Sequence, residues 1–314
     1  MECTWILSIL QKNILKPGGI VMDKENFLKE VINTLRSSFG NGWDISINYV
    51  PKNNGVVYTS ICIKKEDENI SPTIYIDGYY QRYKEGTSIE NIVTEIIQCY
   101  ENATAEDSVS LNVNNLFEWE QVKDLLIVRV ISEEKNSEML KNHVWRKYLN
   151  LALLPVIALD SSDSSLQSIK LTRDLAKAWN IDDDVIIDTA IANSKTRFPS
   201  KCRNLFDVIA GAMNIESSEM SDNPMWVLSN SIGINGASVI LDNEFLREKY
   251  DEIGDSYFII PSSVHELIII PTKNVNAEDM LDLIKSVNAD VVLPEEVLSD
   301  SLYLYNGSEV ELVL

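Results

Sequence analysis

Apolar positions along the chain follow two periods. Phe27, Leu28, Val31, Ile32 and Leu35 recur at the spacing of one helix face, and Gly40 and Gly42 end that helix. Ile45, Ile47 and Tyr49 then alternate with polar residues, the period of a half-buried strand. Asn53-Asn54-Gly55 predicts a turn, because Asn and Gly tolerate positive φ, and residues 56–63 form the return strand. Residues 64–69 read as a charged loop and residues 73–76 as a third strand. A helix follows, with Thr87 as N-cap, Glu90 placed to close a capping box, and an apolar stripe of Ile89, Ile92, Val93, Ile96, Ile97 and Tyr100.

Farther along, residues 125–131 and 151–159 predict strands, with a polar, helical stretch around 139–148 between them. Residues 171–179 and 184–193 predict two short helices, Asn180 capping the second. Asp182 to Asp184 sit where carboxylates favour a helix N-terminus, which accounts for them better than a hard-cation site does. The last third alternates: strand 226–228, turn 233–236, strand 237–241, helix 244–250, strands 257–260 and 265–270 around Pro261-Ser262-Ser263, and helix 278–287. Segments 296–305 and 310–314 close the chain. Runs of strands with segregated helices predict an α+β fold, its sheets antiparallel or mixed with helices to one face. The Ser/Asp stretch 161–165 is the expected boundary between two fused α+β halves, 22–160 and 161–314.

Residues 1–21 stand apart from this pattern. Trp5, Ile6, Leu7, Ile9 and Leu10 form a weak apolar stretch with Lys12 and Lys16 after it, the reverse of a signal peptide's order. Gly18-Gly19 just before Met22 matches a translated purine-rich leader, so Met22 is the expected start of the native protein.

Composition narrows the partners. The 314 residues are 45% hydrophobic and 24% charged, enough for a sizeable core. With 27 basic and 48 acidic residues the net charge is −21, which argues against nucleic acid and against anionic membrane surfaces. Cys3, Cys62, Cys99 and Cys202 are dispersed without a CxxC pair, as free thiols of a reducing, cytoplasmic protein would be. His143 and His265 are the only histidines, so neither a metal centre nor a cofactor is indicated. The longest apolar runs, 151–159 and 267–270, are strand-sized and far short of a membrane span.

No GxSxG elbow, HExxH motif or phosphate-binding loop is present; Gly233-Ile234-Asn235-Gly236 joins two predicted strands with no helix after it. Pro261-Ser262-Ser263-Val264-His265-Glu266 is the one local gathering of reactive groups. Ser262, Ser263, His265 and Glu266 supply the residue types of a catalytic triad. If the strand begins by Ser263, however, Ser263 and His265 share a face and Glu266 points to the other. Leu267 to Ile270 are apolar on both faces, as in a doubly buried strand. A tight hairpin whose hydroxyls bond exposed backbone groups is therefore the preferred reading. Tyr75, Tyr79, Tyr80 and Tyr83, with Asp77 and Arg82 among them, form an aromatic cluster suited to a binding surface and equally to a core rim. The rim reading is preferred, and Arg82 with Lys84 makes too weak a groove for stacked bases.

Several stretches together resemble a known bacterial family. They are Asn53-Asn54-Gly55, Ile70-Ser71-Pro72-Thr73-Ile74-Tyr75, Tyr257-Phe258-Ile259-Ile260 running on through Glu266, and Glu295-Glu296-Val297-Leu298-Ser299-Asp300. In this order they are similar to domain-of-unknown-function family five-six-eight-eight, common in clostridial-type gut bacteria, from about Met22 to the C-terminus. The resemblance implies an intracellular bacterial protein and carries over no activity, substrate or catalytic residue. Three functional readings follow. The first is a non-catalytic binding or regulatory protein with a protein partner, marked by an apolar or aromatic surface patch. The second is a hydrolase-like enzyme using Ser263 and His265. The third is an acidic decoy for a basic partner, with carboxylates gathered on one face.

Overall fold

A computed structural model describes residues 22–65, 72–105, 116–162, 165–213 and 224–313. The leader expected over residues 1–21 and most of the loop expected over 64–69 lie outside the described residues, as do Ile70 and Ser71. The architecture is α+β with antiparallel sheets. The chain forms two compact units, a smaller one within 13–52 and 56–111, and a larger one holding 53–55 and everything from 112 onward. The boundary expected at 160/161 falls inside the larger unit, within the strand Leu151–Ser162, which pairs with Ser165–Lys170.

In the smaller unit, helix α1 (Lys24–Phe39) starts at Asp23, whose carboxylate accepts the Asn26 N–H, and ends at Gly40 with φ 77°. Strands β1 (Trp43–Pro51), β2 (Val57–Lys65) and β3 (Thr73–Tyr75) form an antiparallel sheet in the order β1-β2-β3. Helices α2 (Asp77–Lys84) and α3 (Ile89–Ala105) complete it. The five apolar residues read from the sequence of α1 are all buried, packing on Ile45, Ile61, Ile63 and Ile74 of the sheet and on Ile92, Val93 and Ile96 of α3. Each such side chain withdrawn from water contributes about 1.5–3 kcal/mol. One expected detail shifts: α3 begins at Ile89, so Ser88 rather than Thr87 is its cap, the Ser88 hydroxyl accepting the Asn91 N–H at 3.3 Å.

In the larger unit, short helical turns Trp119–Val122 and Lys123–Leu125 lead into β4 (Leu126–Ser132), β5 (Arg146–Tyr148), β6 (Leu151–Ser162) and β7 (Ser165–Lys170), the four strands all paired through β6. Helices α4 (Arg173–Trp179) and α5 (Asp183–Arg197) follow, then β8 (Ser200–Asn204), α6 (Leu205–Met213) and β9 (Trp226–Asn230). Helix α7 (Asn243–Ile253), β10 (Tyr257–Ser263), β11 (Glu266–Pro271), α8 (Ala277–Asp290), β12 (Tyr303–Tyr305) and β13 (Val310–Leu312) complete it. The second sheet has six antiparallel strands in the order β13-β12-β10-β11-β9-β8. One core joins the two sheets: Leu126, Val128, Leu151 and Leu153 meet Leu228, Tyr257, Ile259, Leu267 and Ile269, together with Ile186, Ile187 and Ala190 of α5. The opposite face of the six-stranded sheet packs Val227, Phe258, Ile260 and Ile268 against Leu205 of α6 and Ile284 of α8. Strands β10 and β11 are thus covered on both sides, as their unbroken apolar sequence requires.

Three local expectations change in this unit. Asn180 ends α4 in the left-handed region with φ 53°, and Asp182 caps α5 by accepting the Asp184 N–H. The stretch around 139–148 holds one short helical turn, Ser137–Leu140, and then strand β5. The strand expected over 237–241 is a tight 3-10 turn, Gly236–Leu241, which follows a left-handed Asn235 with φ 55° and buries Ala237, Val239 and Ile240.

Candidate functional site

The hairpin of β10 and β11 carries the reactive residues of the Pro-Ser-Ser-Val-His-Glu stretch. Strand β10 runs through Ser262 and Ser263 instead of stopping at Ile260, and Val264 with His265 makes the turn. The register slips between Ile260 and Ser263, and Ser263 then pairs with Glu266. The serines therefore belong to the buried ladder and not to a loop, with Ser262 2% and Ser263 5% exposed. This slip and the turn break the simple alternation assumed from sequence. Ser262 Oγ donates to Glu266 Oε1 at 3.3 Å, while Ser263 Oγ accepts the His265 backbone N–H at 3.0 Å.

The His265 ring is engaged elsewhere. Its Nδ1 accepts the Asn235 N–H at 3.1 Å, which leaves the ring proton on Nε2, 3.7 Å from Glu296 Oε1. The His265 carbonyl accepts from Ser229 Oγ at 2.8 Å, and the Val264 N–H donates to the Glu296 carbonyl at 2.9 Å. Ser262, Ser263, His265 and Glu266 are thus gathered in one hairpin, yet the imidazole bonds neither serine. A relay in which the base takes the nucleophile's proton needs that contact. Here the serine bonds stay within the hairpin, and the others tie it to its surroundings: to the 3-10 turn through Asn235, to β9 through Ser229, and to the 294–297 segment through Glu296.

Asn53, Asn54 and Gly55 belong to the same unit and close on that segment. Asn53 Nδ2 donates to the Glu295 carbonyl at 2.9 Å, and Asn54 Nδ2 to the carbonyls of Pro294 and Val297 at 2.8 and 2.7 Å. The Asn54 N–H and Oδ1 pair with the side-chain amide of Asn136, each at 2.8 Å. Lys135 and Asn288 then hold Asp300. Burial pushes the Asp300 carboxyl up, but these two bonds together with the charges of Lys135 and Lys285 outweigh it and hold the group below the usual carboxylate range. Three of the four stretches that carry the family resemblance therefore meet at one place. The roles of Asn54, Asn136, Asn235 and Glu296 as bonding partners arise from contacts distant in sequence, which local pattern does not show.

The tyrosines divide. Tyr80 and Tyr83 pack on Phe27 with ring centroids 5.2 and 5.0 Å away, and the Tyr80 hydroxyl donates to the Met22 carbonyl. Tyr79 also packs on this core, and burial pushes its phenol up. Arg82 grips Glu95 through both terminal guanidinium nitrogens. Tyr75 instead meets Tyr58 edge-on and lies under Lys52 Nζ, 3.9 Å from its ring centre. Two of the exposed large apolar side chains of this unit sit at the turn end of the β1–β2 hairpin, where Tyr49 is 70% and Val57 53% exposed. Tyr49 pairs with Thr59 and Pro51 with Val57, so Tyr49, Pro51 and Val57 share one sheet face.

One cation in the larger unit was not anticipated. Arg129 lies mid-strand in β4 opposite Leu154, on the face that carries Ile127, Ile131 and Val156. Its Nε is buried without a partner, and burial alone pushes its pKa down. The outer edge of β4 is covered by α5, whose Ser194 Oγ accepts the Val128 N–H at 2.8 Å and whose Asn193 Nδ2 donates to the Leu126 carbonyl at 3.1 Å. Several carboxylates of this unit are paired: Asp184 and Asp188 with Arg146, Asp183 with Arg173, Asp242 with Lys195. Among the described residues no three His, Cys, Asp or Glu side chains gather as a metal site, and no helix is long and apolar enough to cross a membrane.

The model of a family of unknown function, DUF5688, matches residues 24–307. No curated protein and no solved structure matches the chain.

Proposed function

The chain belongs to DUF5688, a family of unknown function, and from that premise we propose that it is a non-catalytic binding or regulatory protein acting through protein contacts. The observation that carries this reading is the exposed apolar patch of Tyr49, Val57 and Pro51 at the turn end of the β1–β2 hairpin. Single exposed apolar residues need no explanation, but adjacent ones on one face, with an aromatic among them, are the material of interfaces. The bonds of Ser262, Ser263 and His265 support the same reading, since Ser263 and His265 each accept a backbone N–H and Ser262 donates to the Glu266 carboxylate, none of them awaiting a substrate. A net charge of −21 disfavours nucleic acid as the partner. Cys62, Cys99 and Cys202 are free thiols, in keeping with a reducing, cytoplasmic setting.

Affinity capture from source-cell lysate with the wild-type chain and the double variant Tyr49→Ser, Val57→Ser tests this directly. The wild type retains a stoichiometric protein partner, the double variant loses most of it, and His265→Ala keeps it. Equal retention by wild type and double variant, or no partner at all, overturns the reading.

A further inference from the structure

We propose that the free edge of β1 receives an extended peptide segment as an added strand, with one carboxylate side chain of that segment meeting Arg36. This rests on the protein-binding reading above and names the chemistry of the partner.

Strand β1 terminates its sheet. Ser60 Oγ reaches the Asn48 carbonyl from β2, so even-numbered positions of β1 turn their backbone groups inward. Arg36 Nη2 bonds the Ile45 carbonyl at 3.1 Å from the other side, so odd-numbered positions turn theirs outward. The outward N–H and C=O groups of Ile47 and Tyr49 have no backbone partner among the described residues. Such a row is a template for another strand. Beside it runs α1, and Ile32 and Arg36 of the helix with Ile45 and Ile47 of the strand line an open groove of about 530 Å³. A peptide laid between an edge strand and a helix gains backbone bonds along the strand and places alternate side chains in the groove. Tyr49 extends this lane toward the exposed patch, and Pro51, which lacks an N–H, ends it.

The charge requirement follows from Arg36. An incoming strand takes the Ile45 carbonyl for itself and releases the guanidinium. Lys29 is already paired with Glu25, and Asp44 lies opposite Lys64 on the cross-strand register. Arg36 has no carboxylate partner among the described residues. A carboxylate on the peptide completes it, and a planar fork-to-carboxylate bond is among the stronger polar contacts available. A second copy of this chain is a poorer occupant, since both copies carry −21.

The test uses the full chain and a fluorescein-labelled octapeptide of alternating valine and threonine with one central glutamate, read by anisotropy. Saturable binding is expected, with the glutamate probe favoured about tenfold over its glutamine counterpart and the preference lost in Arg36→Gln. Ile47→Pro removes an outward N–H and weakens binding about tenfold or more. A probe N-methylated at alternate amides gives the same loss without altering the protein. No saturable binding, or binding indifferent to both Ile47→Pro and N-methylation, overturns the proposal. A concentration-dependent dimer abolished by Ile47→Pro also overturns it, assigning the edge to a second copy. If Ile47→Pro still captures a partner that Tyr49→Ser, Val57→Ser loses, the inference fails and the binding reading stands. If neither variant changes capture, both fail.

Discussion

Gly236→Ala destabilises the larger unit by about 3 kcal/mol or more, lowering its melting temperature by roughly 10 °C. The cause is contact and not backbone strain. A Cβ at this position would overlap Ser229 Oγ and the His265 carbonyl oxygen and sit 2.8 Å from the Asn230 nitrogen. Two of those three atoms are backbone of buried strands or of the turn that joins them, so no side-chain rotation relieves the clash. The Ser229–His265 bond at 2.8 Å is the joint that would open, and with it the alignment of β9 and β11 at this end. Gly233→Ala three residues earlier is the control. Gly233 has φ 68° and open space around it, so its substitution costs only the left-handed backbone term, about 1–2 kcal/mol. Denaturant titration of both variants checks the ordering. Equal losses would show that the 3-10 turn is free to move off the hairpin.

Asn54→Ala is the second large effect, an expected loss of about 2–3 kcal/mol. The substitution removes donors to the Pro294 and Val297 carbonyls and leaves one hydrogen of the buried Asn136 amide without its acceptor. It also places alanine at φ 58°, where asparagine is tolerated far better. Asn54→Gly separates the two causes, since glycine restores the backbone freedom and none of the bonds. A glycine variant nearly as unstable as the alanine variant shows that the side-chain bonds dominate. Because Asn54 and Gly236 reach the same neighbourhood through different neighbours, the double variant tests coupling through the 294–297 segment.

Period and turn chemistry made much of this fold legible. The stripe of α1, the alternation of β1 and the Asn-Asn-Gly turn appear where the sequence places them, because each depends on neighbours within a few residues. Caps were less legible: Thr87 and Ser88 are chemically equivalent, and only the start of α3 chooses between them. Residues 237–241 misled because the spacing of Ala237, Val239 and Ile240 serves a short strand as well as a 3-10 turn. The reactive hairpin was legible as a composition and not as a geometry. A slip of register between Ile260 and Ser263 decides which hydroxyl meets Glu266, and no local pattern announces a slip. Glu296 and Asn235, which hold the His265 ring, lie 31 and 30 residues away along the chain. The aromatic cluster was legible as a rim for Tyr80 and Tyr83, while the exposed Tyr49 resembled any other strand residue until its surroundings were known.

The most direct measurement for the whole account is labelling of the native chain with a fluorophosphonate probe, read by intact mass. A serine activated by an imidazole adds the probe rapidly, whereas a hydroxyl spent on backbone and carboxylate does not. The account predicts no adduct on Ser262 or Ser263 over hours, in the wild type and in His265→Ala alike. A stoichiometric adduct on Ser263 that disappears in His265→Ala would contradict it, because the hairpin would then be a catalytic centre and not a structural joint.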